Sequence, residues 1–287
     1  MTTDLTPGLE DVRTVEGTLW YLDPASTLLR RFTAPGASVN TGSYLPAVMS
    51  IGDARQVRDA FTFETNGFQL FDHRSVVADF SDRAEVDAVY LAEAEAFLRE
   101  VTGADRVVAM SWVLRRSEAP KENSSQPAAA LVHDDYSAVG AREAAEATYA
   151  ARFPDGPGYR RALITSLWRV FSPPPQDWPL AVCDYTSVGP DEGLDNRLYF
   201  VDEIPEDLYA DVEPGRRTAS GSEFTHSPDH RWWFFSDMTR DEALVLVLND
   251  SDHSRAWRVP HSAFHDTRAA ATEPRHSIEV RSIAYFE

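Results

Sequence analysis

The sequence predicts a mainly β protein with flanking α-helices, on three observations. Two helical stretches come early, short apolar strands crowd the later part, and Pro and Gly clusters such as "SPPPQDWP" and "EPGRR" separate those strands. Taken in order, "TVEGTLWYL" (14–22) packs aromatic and β-branched residues into a strand-length run. "RAEVDAVYLAEAEAFLREVTG" (83–103) is the clearest helix. Val86, Val89, Tyr90, Phe97 and Leu98 fall near one face, and Gly103 follows as a stop signal. "DRVVAMSWVLRRS" (105–117) reads as a strand, and "SEAPKENSSQPAAA" (117–130) as a surface loop placed to wall a site. A second helix covers "AREAAEATYAARF" (141–153). Strands follow at "RALITSLWRVFSP", "LAVCDYTSV", "HRWWFFSDM", "EALVLVLND", "RAWRVPHSAF" and "SIEVRSIAYF". Many short strands with turns between them predict an antiparallel barrel or jelly roll, with helices packed outside one β-core.

The chain has 287 residues, 43% of them hydrophobic, enough for a sizeable core. No linker divides it, so a single domain over 1–287 is expected. In that division 1–125 flanks the barrel and 126–287 supplies most of the β-core. Lys+Arg 27 against Asp+Glu 46 gives 27 − 46 = −19. Such a surface repels phosphate backbones and anionic lipid, so neither nucleic acid nor a membrane is an expected partner. The one cysteine, Cys183, sits in the apolar run "PLAVCDYTSV" and reads as a buried small residue. The N-terminal stretch lacks a basic start followed by an apolar core, and no apolar run approaches the roughly 18 residues of a membrane span. A cytoplasmic protein is expected.

"LVHDDYSAVG" (131–140) sets a histidine and two aspartates at the end of an apolar run. In a strand, side chains alternate faces, so His133 and Asp135 point one way and Asp134 the other. One imidazole and one carboxylate can then meet a single ion, and a second histidine would complete a face that leaves positions open for co-substrate and dioxygen. The bland reading is a polar turn ending a strand. Among the eight histidines, His261 ends an extended run and is followed fourteen positions later by Arg275, at the head of the terminal strand. The histidine can hold a metal while the arginine grips a carboxylate through two parallel hydrogen bonds. His230 is the rival ligand, but Arg240, ten positions on, lies in a turn. His253 and His265 sit in polar connections, and His73, His226 and His276 carry no partner pattern.

Several segments in order resemble the hydroxylase/desaturase family of secondary metabolism, which contains gibberellin desaturase-like proteins and a cephem-methoxylase component. They include "DAR" (53–55), "TNGFQL" (65–70), "VHDDYS" (132–137), "LWRVF" (167–171), "PLAVCDYTSV" (179–188), "HRWWFFSDMTRDEALVL" (230–246), "PHSAFHD" (260–266) and "PRHSIEVRSIAYF" (274–286). Members are similar to Fe(II)/2-oxoglutarate-dependent oxygenases. The resemblance implies a double-stranded β-helix (jelly-roll, cupin-like) core, iron held by His133, Asp135 and His261, and 2-oxoglutarate anchored by Arg275, with Arg281 on the same strand face as fallback. It implies hydroxylation or desaturation of a C–H position in a small natural-product intermediate, with dioxygen as second reactant. The family often has asparagine where this chain has Ser166, which implies different recognition. Retention of Asp135 disfavours halogenation, which replaces that ligand by a small residue.

Asn66, Phe68, Tyr136, Trp168 and Arg169 are candidate substrate contacts, against core or ion-pair roles for each. Two other classes compete with the oxygenase. One is a non-catalytic barrel that partners a biosynthetic enzyme such as a methyltransferase. The other is a cupin-like metal-binding isomerase, against which Arg275 argues.

Overall fold

The computed structural model describes residues 8–118, 126–212, 218–266 and 272–287. Half of the expected loop before "LVHDDYS" and the whole "EPGRR" turn lie outside the described residues. In chain order the strands are β1 (Thr14–Leu22), β2 (Leu29–Ala34), β3 (Ala37–Asn40), β4 (Tyr44–Asp53), β5 (Phe68–Asp72), β6 (Arg106–Arg116), β7 (His133–Asp134) and β8 (Arg161–Val170). They continue as β9 (Leu180–Cys183), β10 (Leu194–Phe200), β11 (Thr218–Glu223), β12 (Trp232–Phe234), β13 (Glu242–Asp250), β14 (His261–Ala263) and β15 (His276–Phe286). Two helices of substance, α1 (Leu91–Thr102) and α2 (Ala138–Arg152), interrupt them.

Two sheets face each other. The larger runs β1-β4-β12-β9-β14-β7-β11-β10-β2-β3 and the smaller β5-β13-β8-β15-β6. Their facing sides form the jelly-roll lumen. Alternation along β8 decides what goes there. Ala162, Ile164, Trp168 and Val170 join the cluster between the sheets, whereas Leu163 and Leu167 turn to the outer face, where Leu98 and Tyr90 pack. Each fully buried aliphatic side chain contributes roughly 1.5–3 kcal/mol, so a strand buried on both faces is held in register from two sides. A third cluster lies behind the larger sheet, where Leu19 and Tyr21 of β1 pack against Val132, Phe224 and Trp232.

Caps mark the helix ends, and α2 begins at Ala138, three residues before the expected Ala141. Asp82 caps the first helical turn through the N–H groups of Ala84 and Glu85, a π-turn occupies Val86–Tyr90, and Gly103 closes α1 at φ 68°. Ser137 caps α2 by accepting from the Gly140 N–H at 3.1 Å.

The expected strand over 255–264 shrinks to His261–Ala263, because Pro260 has no N–H to add to a ladder. β9 stops at Cys183, after which Asp184 caps a 3-10 turn at Tyr185–Ser187. Nine of the fifteen described strands, β7 to β15, fall within 126–287, while β1 and β4 also join the larger sheet and β5 and β6 form both edges of the smaller one.

Candidate metal centre

β7 and β14 are antiparallel neighbours, and His261 lies directly opposite His133. Their rings stand 4.4 Å apart between centroids. Asp135, just past the end of β7, turns back to the same place: its Oδ1 is 3.9 Å from His133 Nε2 and its Oδ2 4.0 Å from His261 Nε2. One donor atom from each of the three lies within 4.8 Å of the others, the single such cluster among the described residues.

The backbone fixes which nitrogens face inward. His133 Nδ1–H donates to the Leu131 carbonyl at 2.7 Å and His261 Nδ1–H to the Val259 carbonyl at 2.9 Å. A carbonyl can only accept, so both Nδ1 atoms carry the proton and both Nε2 lone pairs converge beside Asp135. Burial, followed by the neighbouring His261, depresses His133 to about 3, which keeps the ring neutral and basic towards a cation. Burial alone would raise Asp135. The charge of Arg281 outweighs it and holds the carboxylate below its usual range. Two neutral imidazoles and one ionised carboxylate on one face fit iron(II).

Asp134 points away, as strand alternation requires. It is buried behind the sheet, with Oδ1 accepting from the Tyr136 N–H at 3.3 Å and Oδ2 unpartnered. Burial and then the neighbouring Asp135 raise its pKa well above the carboxylate norm.

The two arginines of β15 and its approach differ sharply. Arg281 is largely engaged by the protein: Nη2 donates to Asp135 Oδ1 at 2.9 Å and to Glu279 Oε1 at 2.5 Å, while its buried Nε has no partner. Arg275 is 1% exposed, yet its Nε and Nη2 have no hydrogen-bond partner. Its guanidinium lies 5.7 Å from the Trp168 ring, and burial, then repulsion from Arg115, lowers its pKa to about 9. A buried cation with open donors is a cradle for a carboxylate, and it suits the far end of a dicarboxylic 2-oxo acid.

Of the remaining candidate contacts, Phe68 and Trp168 lie in the lumen cluster, and Tyr136 packs against it. Asn66 instead stabilises a turn: its Oδ1 accepts from Thr62 N–H and its Nδ2 donates to Asp184 Oδ1 at 3.2 Å. Arg169 does not reach the site. It projects to the other face of the smaller sheet, where Tyr90, His73 and the Arg240 carbonyl take up its donors. His230 is likewise engaged elsewhere, between Tyr21 Oη at 3.1 Å and Glu192 at 2.7 Å. Sequence reasoning misses Glu279 and Arg115, whose 3.9 Å ion pair extends the Asp135–Arg281 chain. It also misses Trp233 and Glu223, because only cross-strand register brings them to the triad's level.

The family profile described as an oxidoreductase/YMDC permease-like domain matches residues 19–285. The chain belongs to this family. Among its relatives, an Fe(II)/2-oxoglutarate-dependent dioxygenase, nvfI, of Aspergillus novofumigatus is 29% identical over 261 residues, covering 88% of this chain and 87% of the relative. Hydroxylase/desaturase CTB9 of Cercospora beticola is 29% identical over 85% of this chain and 78% of its own length. Among solved structures, a point variant of an iron and alpha-ketoglutarate-dependent endoperoxidase, NvfI, superposes with a TM-score of 0.80 at 26% identity. That match covers 95% of this chain and 98% of the other. The family resemblance and the jelly-roll expectation are both borne out. No helix among the described residues is long and apolar enough to cross a membrane.

Proposed function

We propose that this protein is an Fe(II)/2-oxoglutarate-dependent oxygenase that hydroxylates or desaturates a C–H position of a small natural-product intermediate, with dioxygen as second reactant, in the cytoplasm. The observation that carries the reading is the pairing of an unmet donor set with an unmet cation. Three convergent ligand atoms await a metal, and Arg275, deep in the same lumen, awaits an anion. A metal-binding role alone leaves the buried, unpartnered guanidinium of Arg275 unexplained.

In this reading His133, Asp135 and His261 hold the iron, and Arg275 takes the distal carboxylate of 2-oxoglutarate. Bound iron(II) and 2-oxoglutarate together supply oxidative C–H cleavage coupled to decarboxylation of the 2-oxo acid. The chain supplies the rest. Leu131 and Val259 fix the imidazole tautomers, Arg281 orients Asp135, and Glu279 holds Arg281. Phe68, Trp168 and Leu246, buried in the cluster between the sheets, keep that interior apolar.

The test is product formation. Iron-loaded protein under air should convert 2-oxoglutarate to succinate and carbon dioxide, and His133→Ala should not. Full iron loading without any succinate would favour the non-catalytic partner.

A further inference from the structure

One residue from each of six neighbouring strands falls on a single line across the larger sheet. Gly52, Trp233, Val182, His261, His133 and Glu223 are each the direct Cα partner of the next. Directly paired residues share a face. Val182 and Trp233 both belong to the cluster between the sheets, so the whole line looks into the lumen. Trp233 therefore stands at the level of the metal ligands, two strands from His261, or roughly 10 Å between Cα atoms at ordinary strand spacing. A small molecule held at the triad spans that gap.

The indole is locked in place. The Phe61 ring lies 4.9 Å from it. Gly52 leaves the space its benzo edge fills, since a Cβ at 52 would come within 2.5 Å of Cζ3. Nε1 lies on the ring edge opposite that contact. It is buried, in a residue only 6% exposed, and no acceptor meets it. The adjacent Trp232, on the other face of the sheet, shows the ordinary arrangement: its Nε1 donates to Tyr21 Oη at 2.7 Å. Buried indole N–H groups nearly always find such a partner.

We propose that the Trp233 Nε1–H is a ligand-recognition donor of the metal pocket, taking an oxygen acceptor, a carbonyl or carboxylate, on a molecule seated beside the triad. Two molecules can carry that oxygen: the 2-oxo acid or the compound being oxidised. In either case Trp233 is specificity-determining, because a ligand without oxygen at that point leaves the N–H unpaired. The proposal deepens the oxygenase reading and rests on it.

The test uses protein labelled with 15N-tryptophan and loaded with zinc(II), a redox-silent stand-in for iron. The Trp233 indole resonance, one of seven, is identified by its loss in Trp233→Phe or, should that variant not fold, by its displacement in Phe61→Leu. One arm adds 2-oxoglutarate. The other, in the presence of 2-oxoglutarate, compares acetophenone with its hydrocarbon isostere α-methylstyrene.

A downfield shift of the Trp233 N–H on adding 2-oxoglutarate, with Trp233→Phe weakening its binding about three- to tenfold, assigns the co-substrate. A shift with acetophenone but not with α-methylstyrene assigns the oxidised substrate. No response to 2-oxoglutarate, together with no difference between ketone and hydrocarbon, overturns the proposal. Arg275→Leu, run alongside, separates the two levels. If it abolishes 2-oxoglutarate binding while Trp233 stays silent, only the role of Trp233 fails. If 2-oxoglutarate binds neither wild type nor variant, the oxygenase reading fails with it.

Discussion

Two arginines, Arg169 and Arg275, rank among the largest fully buried side chains of the described residues, and they serve opposite faces of one sheet. Arg169 faces outward among Tyr90, His73 and Phe80, and all three of its guanidinium nitrogens find acceptors, two of them on backbone or side chain of the segment around His73. Arg275 faces inward with two of its three nitrogens unmet. Burial is the same; satisfaction is not. A buried charge persists only with partners, so a fully partnered one is structural and an unpartnered one awaits a ligand. The same contrast separates the histidines. His230 is bonded at both nitrogens, whereas His133 and His261 are each bonded at Nδ1 only among hydrogen bonds, leaving Nε2 turned towards Asp135.

The largest effect that can sharpen this contrast belongs to the histidines. His261→Ala should abolish iron binding. His230→Ala should keep iron and lose about 1–3 kcal/mol of folding stability, as expected when buried hydrogen-bond partners are left unmet. Metal analysis of the two purified proteins, with denaturant melts, decides it. An iron-loaded His261→Ala protein would break the account of the triad.

Arg275→Leu comes next. Removing the partner of a buried carboxylate typically costs on the order of 2–5 kcal/mol, so 2-oxoglutarate affinity should fall roughly thirty- to several-thousand-fold with iron content unchanged. The ligand-free protein should be as stable as wild type or more so, since an uncompensated buried charge has gone. Equilibrium dialysis of 2-oxoglutarate and a thermal melt read the two quantities. Arg169→Leu should do the reverse, losing about 2–4 kcal/mol of stability as its acceptors are stranded, while the folded fraction binds 2-oxoglutarate normally.

The central strands β8, β13 and β15 and the His-x-Asp pair are legible in the sequence because these are local patterns: alternation, apolar runs and residue type. β4 escapes such reading. Its "YLPAVMSIGD" carries Pro46 in a stretch paired only with β1, and the parallel partner β12 reaches it only at Ile51–Asp53. Residue type and a neighbouring tryptophan make Arg169 resemble a substrate contact. Yet Trp168 and Arg169 are consecutive in a strand, so only one of them can face the lumen, and nothing in "SLWRVF" says which. The distinction between Arg275 and Arg281 is equally hidden. They share a face six residues apart, and only folding shows that Asp135 and Glu279 have already claimed Arg281. Recognition donors such as Trp233 depend on register across several strands, which no local window contains.

A smaller effect is the response of metal-free protein to acid. His133 is depressed from the ordinary 6.5 to about 3, so between those values the unfolded chain binds a proton that the folded one refuses. The folded state is therefore favoured above about 6.5 and should lose stability as pH falls towards 3, with no further contribution from this group below that. Urea melts over this range, repeated on His133→Phe, should show the slope in the first protein and a shallower one in the second. An identical slope would remove His133 as its source.

The most direct measurement is an anaerobic titration of iron(II)-loaded protein with 2-oxoglutarate, followed by visible absorption, on wild type and Arg275→Leu in parallel. A weak charge-transfer band of a chelated 2-oxo acid should grow in and saturate for wild type. In Arg275→Leu it should appear only at much higher 2-oxoglutarate. If fully iron-loaded wild type gives no band, or the two proteins titrate alike, the unmet cation in the lumen is not the anchor of a 2-oxo acid.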